Sequence, residues 1–286
     1  MSDRETRSGR APLYSLAVNA DMVYRHLPYA ERVRRIHERG FEVETWMPWT
    51  QNLPALLALG IPIASMQGYI HGGLATPEEG DQLVATAAEV IPIARSLGCS
   101  DLVFHGGELA DGVAVRPLDA VTGAMWLCAR KTLDRLAALG EREGVTFCLE
   151  NLNRRVDHPG VPFAATADTL ALVSAVDRPG LRLMLDLYHA QEDEGHLIET
   201  VREAGRFIGA VQVADVPGRC EPGTGEIRFE AVAEALADMG YDGRVGMEGY
   251  ASADDDVALD RFRAALGGPL ATAAPASSAS PEEAAR

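Results

Sequence analysis

The sequence predicts an α/β protein folded as a single (β/α)8 barrel. Three observations carry that reading. Eight short segments rich in Val, Ile and Leu alternate with eight helical patterns, as parallel strands buried on both faces require. The alternation recurs about every 30 residues, one eighth of a typical ~250-residue barrel. Asn19-Ala20-Asp21-Met22, after the first strand, is not the glycine-rich fingerprint that an open doubly wound sheet places there.

Taken in order, residues 1–11 read as a disordered lead, and LYSLAVN (13–19) is the first strand. A helix over 28–39 follows, with Ala30, Val33 and Ile36 three apart and Gly40 ending it. FEVETW (41–46) alternates as a strand should. A short helix over 53–59 closes at Gly60, and IPIASMQ (61–67) is the third strand. Thr76, Pro77 and Glu79 start a helix that runs to Leu97: a cap, a proline at the first helical position and a glutamate three after the cap. Strands DLVFH (101–105), VTFCLE (145–150), LRLMLD (181–186), 208–214 and RVGME (244–248) alternate with helices over 118–143, 166–176, 192–204, 229–239 and 256–266. The barrel spans 12–267. The last 19 residues, from Gly268, are rich in Ala, Ser and Pro and read as a disordered tail.

The chain has 286 residues, 47% hydrophobic and 24% charged, which is ordinary for a globular enzyme. Its net charge of −16 repels phosphate backbones and argues against nucleic-acid binding. The start is polar and shows no signal peptide, and the longest nearly apolar run, 53–66, holds two prolines and is too short to span a bilayer. Four cysteines without a C-x-x-C pair are no disulfide framework. A cytoplasmic protein acting on a small metabolite is expected, with no membrane partner and with a homo-oligomer left open.

The candidate chemistry sits at the ends of the last four strands. Glu150, Asp186 and Glu248 end strands five, six and eight, and Gln212 lies near the end of strand seven. In a closed barrel those ends share one rim. Three carboxylates there repel unless a cation cancels their charge. An all-oxygen set suits Mg²⁺ or Mn²⁺ better than zinc. Such an ion acidifies the C–H between two oxygens of a hydroxy-carbonyl compound, and Glu150 and Glu248 would pass the proton. No organic cofactor is needed. The competing reading for any one such carboxylate is a helix cap or surface charge.

The segment QVADVPGRCEPGTGEI (212–227) resembles the hydroxypyruvate isomerase family of xylose-isomerase-like barrels, as do LEN (149–151), LDLYHAQEDEG (185–195) and GMEGY (246–250). The resemblance implies that Glu150, Asp186, Gln212 and Glu248 hold the metal, with Glu150 and Glu248 as the acid/base pair. It implies that His189 bonds a substrate oxygen and that Arg219 sits beside the substrate's polar end. The reaction implied is hydroxypyruvate ⇌ 2-hydroxy-3-oxopropanoate (tartronate semialdehyde).

The sequence departs from that pattern at Met66-Gln67-Gly68, where a His-Asn pair is expected, and at His105 and Glu108, while Trp46 and Trp49 add bulk. Gln67, His105 and Glu44 are therefore candidate substrate contacts, with a satisfied core histidine and a buried ion pair as the competing readings of His105 and Glu44. A ketose 3-epimerase, or an isomerase of a larger sugar or sugar acid, is the alternative function; a non-catalytic binding barrel is a third. Gly223-Thr224-Gly225 reads as a rigid turn rather than a phosphate loop.

Overall fold

A computed structural model describes residues 13–267; the expected lead and tail lie outside the described residues. The first strands are β1 (Ser15–Asn19), β2 (Glu42–Glu44), β3 (Ile63–Gln67) and β4 (Asp101–Phe104). A small hairpin follows, β5 (Leu109–Ala110) and β6 (Val113–Ala114), then β7 (Thr146–Glu150), β8 (Leu181–Asp186), β9 (Ile208–Val213) and β10 (Arg244–Met247). Strands β1–β4 and β7–β10 close into one parallel barrel in sequence order, β10 pairing with β1 through Ser15↔Arg244 to Val18↔Met247. The expected barrel is borne out.

The helices α1 (Tyr29–Glu38), α2 (Leu53–Leu59), α3 (Pro77–Ser96), α4 (Gly123–Glu143) and α5 (Thr166–Val176) lie between strands. After β8 come α6 (Leu187–Asp193) and α7 (Leu197–Ala204), then α8 (Phe229–Asp238) and α9 (Asp255–Leu266). Local chemistry sets their ends. Thr76 and Glu79 form the expected capping box with Pro77 in the first turn, and the Asp254 side chain caps α9.

Two helical expectations change. The pattern over 192–204 is two helices, because Gly195 (φ 72°) and His196 (φ 53°) leave the right-handed region between them. The helix expected from Leu118 starts at Gly123, where Thr122 caps it. Just before it, LADGVA (109–114) folds as a hairpin with Asp111 and Gly112 both at positive φ, the conformation of a tight two-residue turn.

Between helices and barrel, side chains such as Phe104 and Phe147 are fully buried and meet edge to face at 6.3 Å. Each stabilises the fold by about 1.5–3 kcal/mol through area removed from water. Inside the barrel, Val103, Cys148, Met184 and Ala210 form a plug from four consecutive strands. Cys148 is thus a small core hydrophobe.

The barrel interior also corrects one site expectation. Glu44 is buried and lies under the cavity described below, 3.4 Å from the Arg244 guanidinium and 3.4 Å from Gln212 Nε2. A register shift between Val43 and Glu44 accompanies the inward turn of this strand end. Gly246 is what makes room for it: a Cβ there would meet Glu44 Oε2 at 2.4 Å. Glu44 is therefore a buried ion-pair partner and not part of the cavity wall.

Candidate active site

Glu150, Gln212 and Glu248 are buried and line one cavity of about 500 Å³, with Asp186 buried directly behind its wall. Gln67, His105, His189 and Arg219 line the same cavity. Glu44 alone of the sequence-predicted site residues is left beneath it.

Each end is held by its own strand and by cross-links between strands. The Asn151 side chain bonds both the N–H and the C=O of Asp186 at 2.9 Å, fixing the end of β7 to the end of β8. Asp186 also caps α6: its Oδ1 accepts the N–H groups of Tyr188 (2.7 Å) and His189 (3.1 Å). The competing reading of this carboxylate, a helix cap, is thus true of one oxygen. The other, Oδ2, faces the site with no hydrogen-bond partner.

The loop after β9 delivers Arg219. Its organiser is Asp215, fully buried, whose carboxylate accepts from the N–H groups of Val216, Gly223, Gly225 and Ile227 at 2.8–3.0 Å. The N–H groups of Gly223 and Gly225 are consumed there, so this segment is the rigid turn expected from the sequence. Gly225 tolerates no side chain, since a Cβ would lie 2.1 Å from Val216 O. Arg219 itself has φ 53°, an uncommon conformation for a non-glycine residue, held by bonds from its N–H to Asp215 O and from Tyr250 N–H to its own C=O. Its guanidinium lies 3.0 Å from Glu248 Oε2, 3.6 Å from Asp186 Oδ2 and over the Tyr188 ring. The other carboxylates of this loop, Asp215 and Glu221, are engaged elsewhere; Glu221 binds Ser252 and Arg261.

The two glutamates have different surroundings. Glu248 accepts from Arg219, from Asn19 Nδ2 (3.1 Å) and from the Trp46 indole N–H. Trp46, noted from the sequence only for its bulk, is therefore also a donor to the site. Glu150 has no such set: His105 Nε2 lies 3.3 Å from its Oε2 and His189 Nε2 3.8 Å from its Oε1. Burial, with the charge of Glu248 added, holds the Glu150 carboxyl well above the usual carboxylate range against the opposing pull of Arg219. Burial does the same to Asp186, again opposed by Arg219. Burial pushes His105 down to about 4 and His189 well below its ordinary value, so both rings are neutral near pH 7.

The donor chemistry fits a divalent cation. Asp186 Oδ2 and Gln212 Oε1 are buried acceptors without partners, beside two more buried carboxylates. An orphaned acceptor at such depth costs about 1–3 kcal/mol unless something binds it. One atom each of Glu150, Asp186 and His189 lies within 4.8 Å of the others.

Sequence reasoning did not assign the roof. The β5–β6 hairpin brings Leu109, Asp111, Gly112 and Val113 over the cavity, tied down by His158 Nδ1 at 2.7 Å from Gly112 O. The signal was present: Asp-Gly flanked by apolar residues. Tyr69 was missed too; its hydroxyl is 3.0 Å from His105 Nδ1 and steadies that ring.

The sequence matches the family described as "Xylose isomerase-like TIM barrel" over residues 30–266. A putative hydroxypyruvate isomerase of Streptomyces coelicolor is 30% identical over 83% of this chain and 91% of its own length. A 2-oxo-tetronate isomerase of Pectobacterium atrosepticum is 26% identical over 81% and 90%. The crystal structure of an AP endonuclease of family 2 from Brucella melitensis superposes with a TM-score of 0.74 at 24% identity, over 88% of this chain and 98% of that one, a likeness of fold. The resemblance to hydroxypyruvate isomerases drawn from the sequence is borne out by these relatives, and the chain belongs to the xylose isomerase-like TIM barrel family.

Proposed function

We propose that this protein is a metal-assisted isomerase interconverting hydroxypyruvate and 2-hydroxy-3-oxopropanoate. That it is an isomerase accords with relatives so named across four fifths of the chain. The observation that carries the specific reading is the pair of buried glutamates, Glu150 and Glu248, facing one cavity with unlike surroundings. Carboxyl groups in unlike environments are suited to remove a proton from one carbon and return one to its neighbour. Glu248 is fixed in orientation by its three donors, and Glu150 is steadied by His105. Arg219 lies beside Glu248, where a carboxylate or a developing oxyanion on the substrate would be stabilised.

Glu150, Asp186, Gln212 and Glu248 would hold Mg²⁺ or Mn²⁺, and the ion would supply Lewis-acid polarisation of the hydroxyl and carbonyl oxygens. His189 Nε2, buried beside the same carboxylates without a partner, would hydrogen-bond a substrate oxygen. The hairpin covers part of the cavity and would limit water around a bound substrate. The four unpaired cysteines are in keeping with a reducing compartment such as the cytoplasm.

A second reading, a four-carbon or larger sugar acid, is favoured by the size of the cavity and by the similarity to a 2-oxo-tetronate isomerase. Hydroxypyruvate offered in D₂O with Mg²⁺ or Mn²⁺ separates these. The aldehyde product, with deuterium in recovered substrate, supports the first reading. Turnover of C4 acids with an inert C3 acid supports the second, and no exchange with any hydroxy-carbonyl acid or ketose leaves only a binding barrel.

A further inference from the structure

His189 stands where it has two conceivable uses. Its Nε2, buried and without a hydrogen-bond partner, lies 3.8 Å from both Glu150 Oε1 and Asp186 Oδ2. As a lone pair it would be a nitrogen ligand; as an N–H it is a hydrogen-bond donor. The two are exclusive, and which one holds is decided on the other side of the ring.

There, His189 Nδ1 lies 2.7 Å from Asn153 Nδ2. An amide side chain can be turned over, which would present oxygen instead, but Asn153 is not free to turn. Its Oδ1 accepts from the N–H groups of Val156 (3.1 Å) and Asp157 (2.8 Å), and its Nδ2 also donates to Asp157 Oδ2 at 2.6 Å. Turning it would set NH₂ against two backbone N–H groups and oxygen against a carboxylate. Asn153 is itself buried, and Asp157 is held in place by the Tyr188 hydroxyl at 2.9 Å. With NH₂ facing it, Nδ1 must be an acceptor, so a neutral ring carries its proton on Nε2. The cavity side agrees once its carboxyl groups are ionised, since an Nε2–H is attracted by the two oxygens it faces; the carboxylate oxygen on the other side, Asp157 Oδ2 at 3.9 Å from Nδ1, is already engaged by Asn153 Nδ2 and the Tyr188 hydroxyl.

We infer that Asn153 is a positioning residue that locks His189 as the Nε2–H tautomer, which withholds its nitrogen from a metal and presents it to the substrate as a donor. The lock keeps the ligand set all-oxygen although a histidine stands at its edge, and so favours a hard ion over zinc. The tautomer stands apart from the reaction; only its use toward substrate rests on the isomerase reading.

The test is the proton position in the full-length protein labelled with 15N-histidine, read by long-range 1H–15N correlation. The His189 signals are identified by their loss in His189→Gln. The native protein is expected to show Nε2–H with an unprotonated Nδ1, with and without Mg²⁺. In Asn153→Asp the new carboxylate at position 153 accepts from Nδ1, so the proton moves there. The double variant Asn153→Asp/Asp157→Asn does the same without setting two carboxylates together, and covers the case in which the single variant fails to fold. Freed Nε2 then raises the affinity for Zn²⁺ relative to Mg²⁺, by calorimetry, roughly tenfold or more. An Nδ1–H ring in the native protein, or an unmoved proton in the folded double variant, overturns the inference. If the tautomer is as stated while no hydroxy-carbonyl acid is turned over, the lock stands and the isomerase reading falls.

Discussion

Asp215→Asn is the sharpest test of how the Arg219 loop is built. The carboxylate is fully buried and takes two N–H groups on each oxygen: Val216 and Ile227 on Oδ1, Gly223 and Gly225 on Oδ2. Asparagine keeps one such oxygen and turns an NH₂ toward the other pair. Bonds to a charged acceptor contribute about 1.5–3 kcal/mol each, so a loop held in place would lose roughly 3–6 kcal/mol. Opening the loop lets water reach the stranded N–H groups and caps the loss, which we place at about 2–4 kcal/mol. For a chain of this size that lowers Tm by roughly 3–8 °C. Urea denaturation gives the free energy, and hydrogen exchange of the 212–228 segment gives its location. Turnover should fall as well, because Arg219 N–H is bonded to the Asp215 carbonyl and moves with the loop. A loss below about 1 kcal/mol, with the Gly223 and Gly225 amides as protected as before, would refute the account of Asp215 as organiser.

Other expectations follow from the same geometry. Glu150→Gln and Glu248→Gln should each lower turnover by about 10²–10⁴-fold while circular dichroism stays unchanged, since each removes a proton-transfer group and keeps its shape. Trp46→Phe removes a donor to Glu248, worth about 1.5–3 kcal/mol, and should cost on the order of 10–100-fold in kcat/KM. Glu44→Gln should leave KM unchanged, whereas Arg244→Met, which strands the buried Glu44 carboxylate, should destabilise by about 3–5 kcal/mol in urea melts. The pH dependence has a definite sign. Glu150 and Asp186 have folded-state proton affinities raised by burial, so their contribution to stability is present below the unfolded value and is lost as pH rises through the folded one. A divalent ion bound there would take over from those protons. At about 100 times its Kd it should raise Tm by roughly 5–10 °C at neutral pH, and by less at pH 5, in scanning calorimetry.

The barrel and the rim were legible because each rests on something local. Apolar strands separated by amphipathic helices leave few arrangements, and a carboxylate ending an inner strand has to stand where the strands end. Glu44 looked equivalent by that rule. It ends β2 beside Asn19, yet the irregular register at Val43 and the missing side chain at Gly246 draw it down into the barrel. Neither is visible until neighbouring strands are paired. The roof was missed for a different reason: two-residue strands carry almost no periodicity, and the only signal, Asp111-Gly112, lies between segments too short to read as strands. Asn153 was out of reach because its meaning depends on which way an amide faces, a matter settled by backbone N–H groups and invisible in residue type.

Asp186 divides its labour between two atoms. One oxygen belongs to the backbone of α6, the other to the site, so only a single oxygen is left for any bound cation. The same division ties the origin of α6 to the chemistry: drift at this position cannot alter reactivity without loosening a helix that carries His189 on its first turn. Asparagine there would keep the cap and lose the charge, whereas alanine would lose both. Architecture and reactivity are here allocated atom by atom within one side chain.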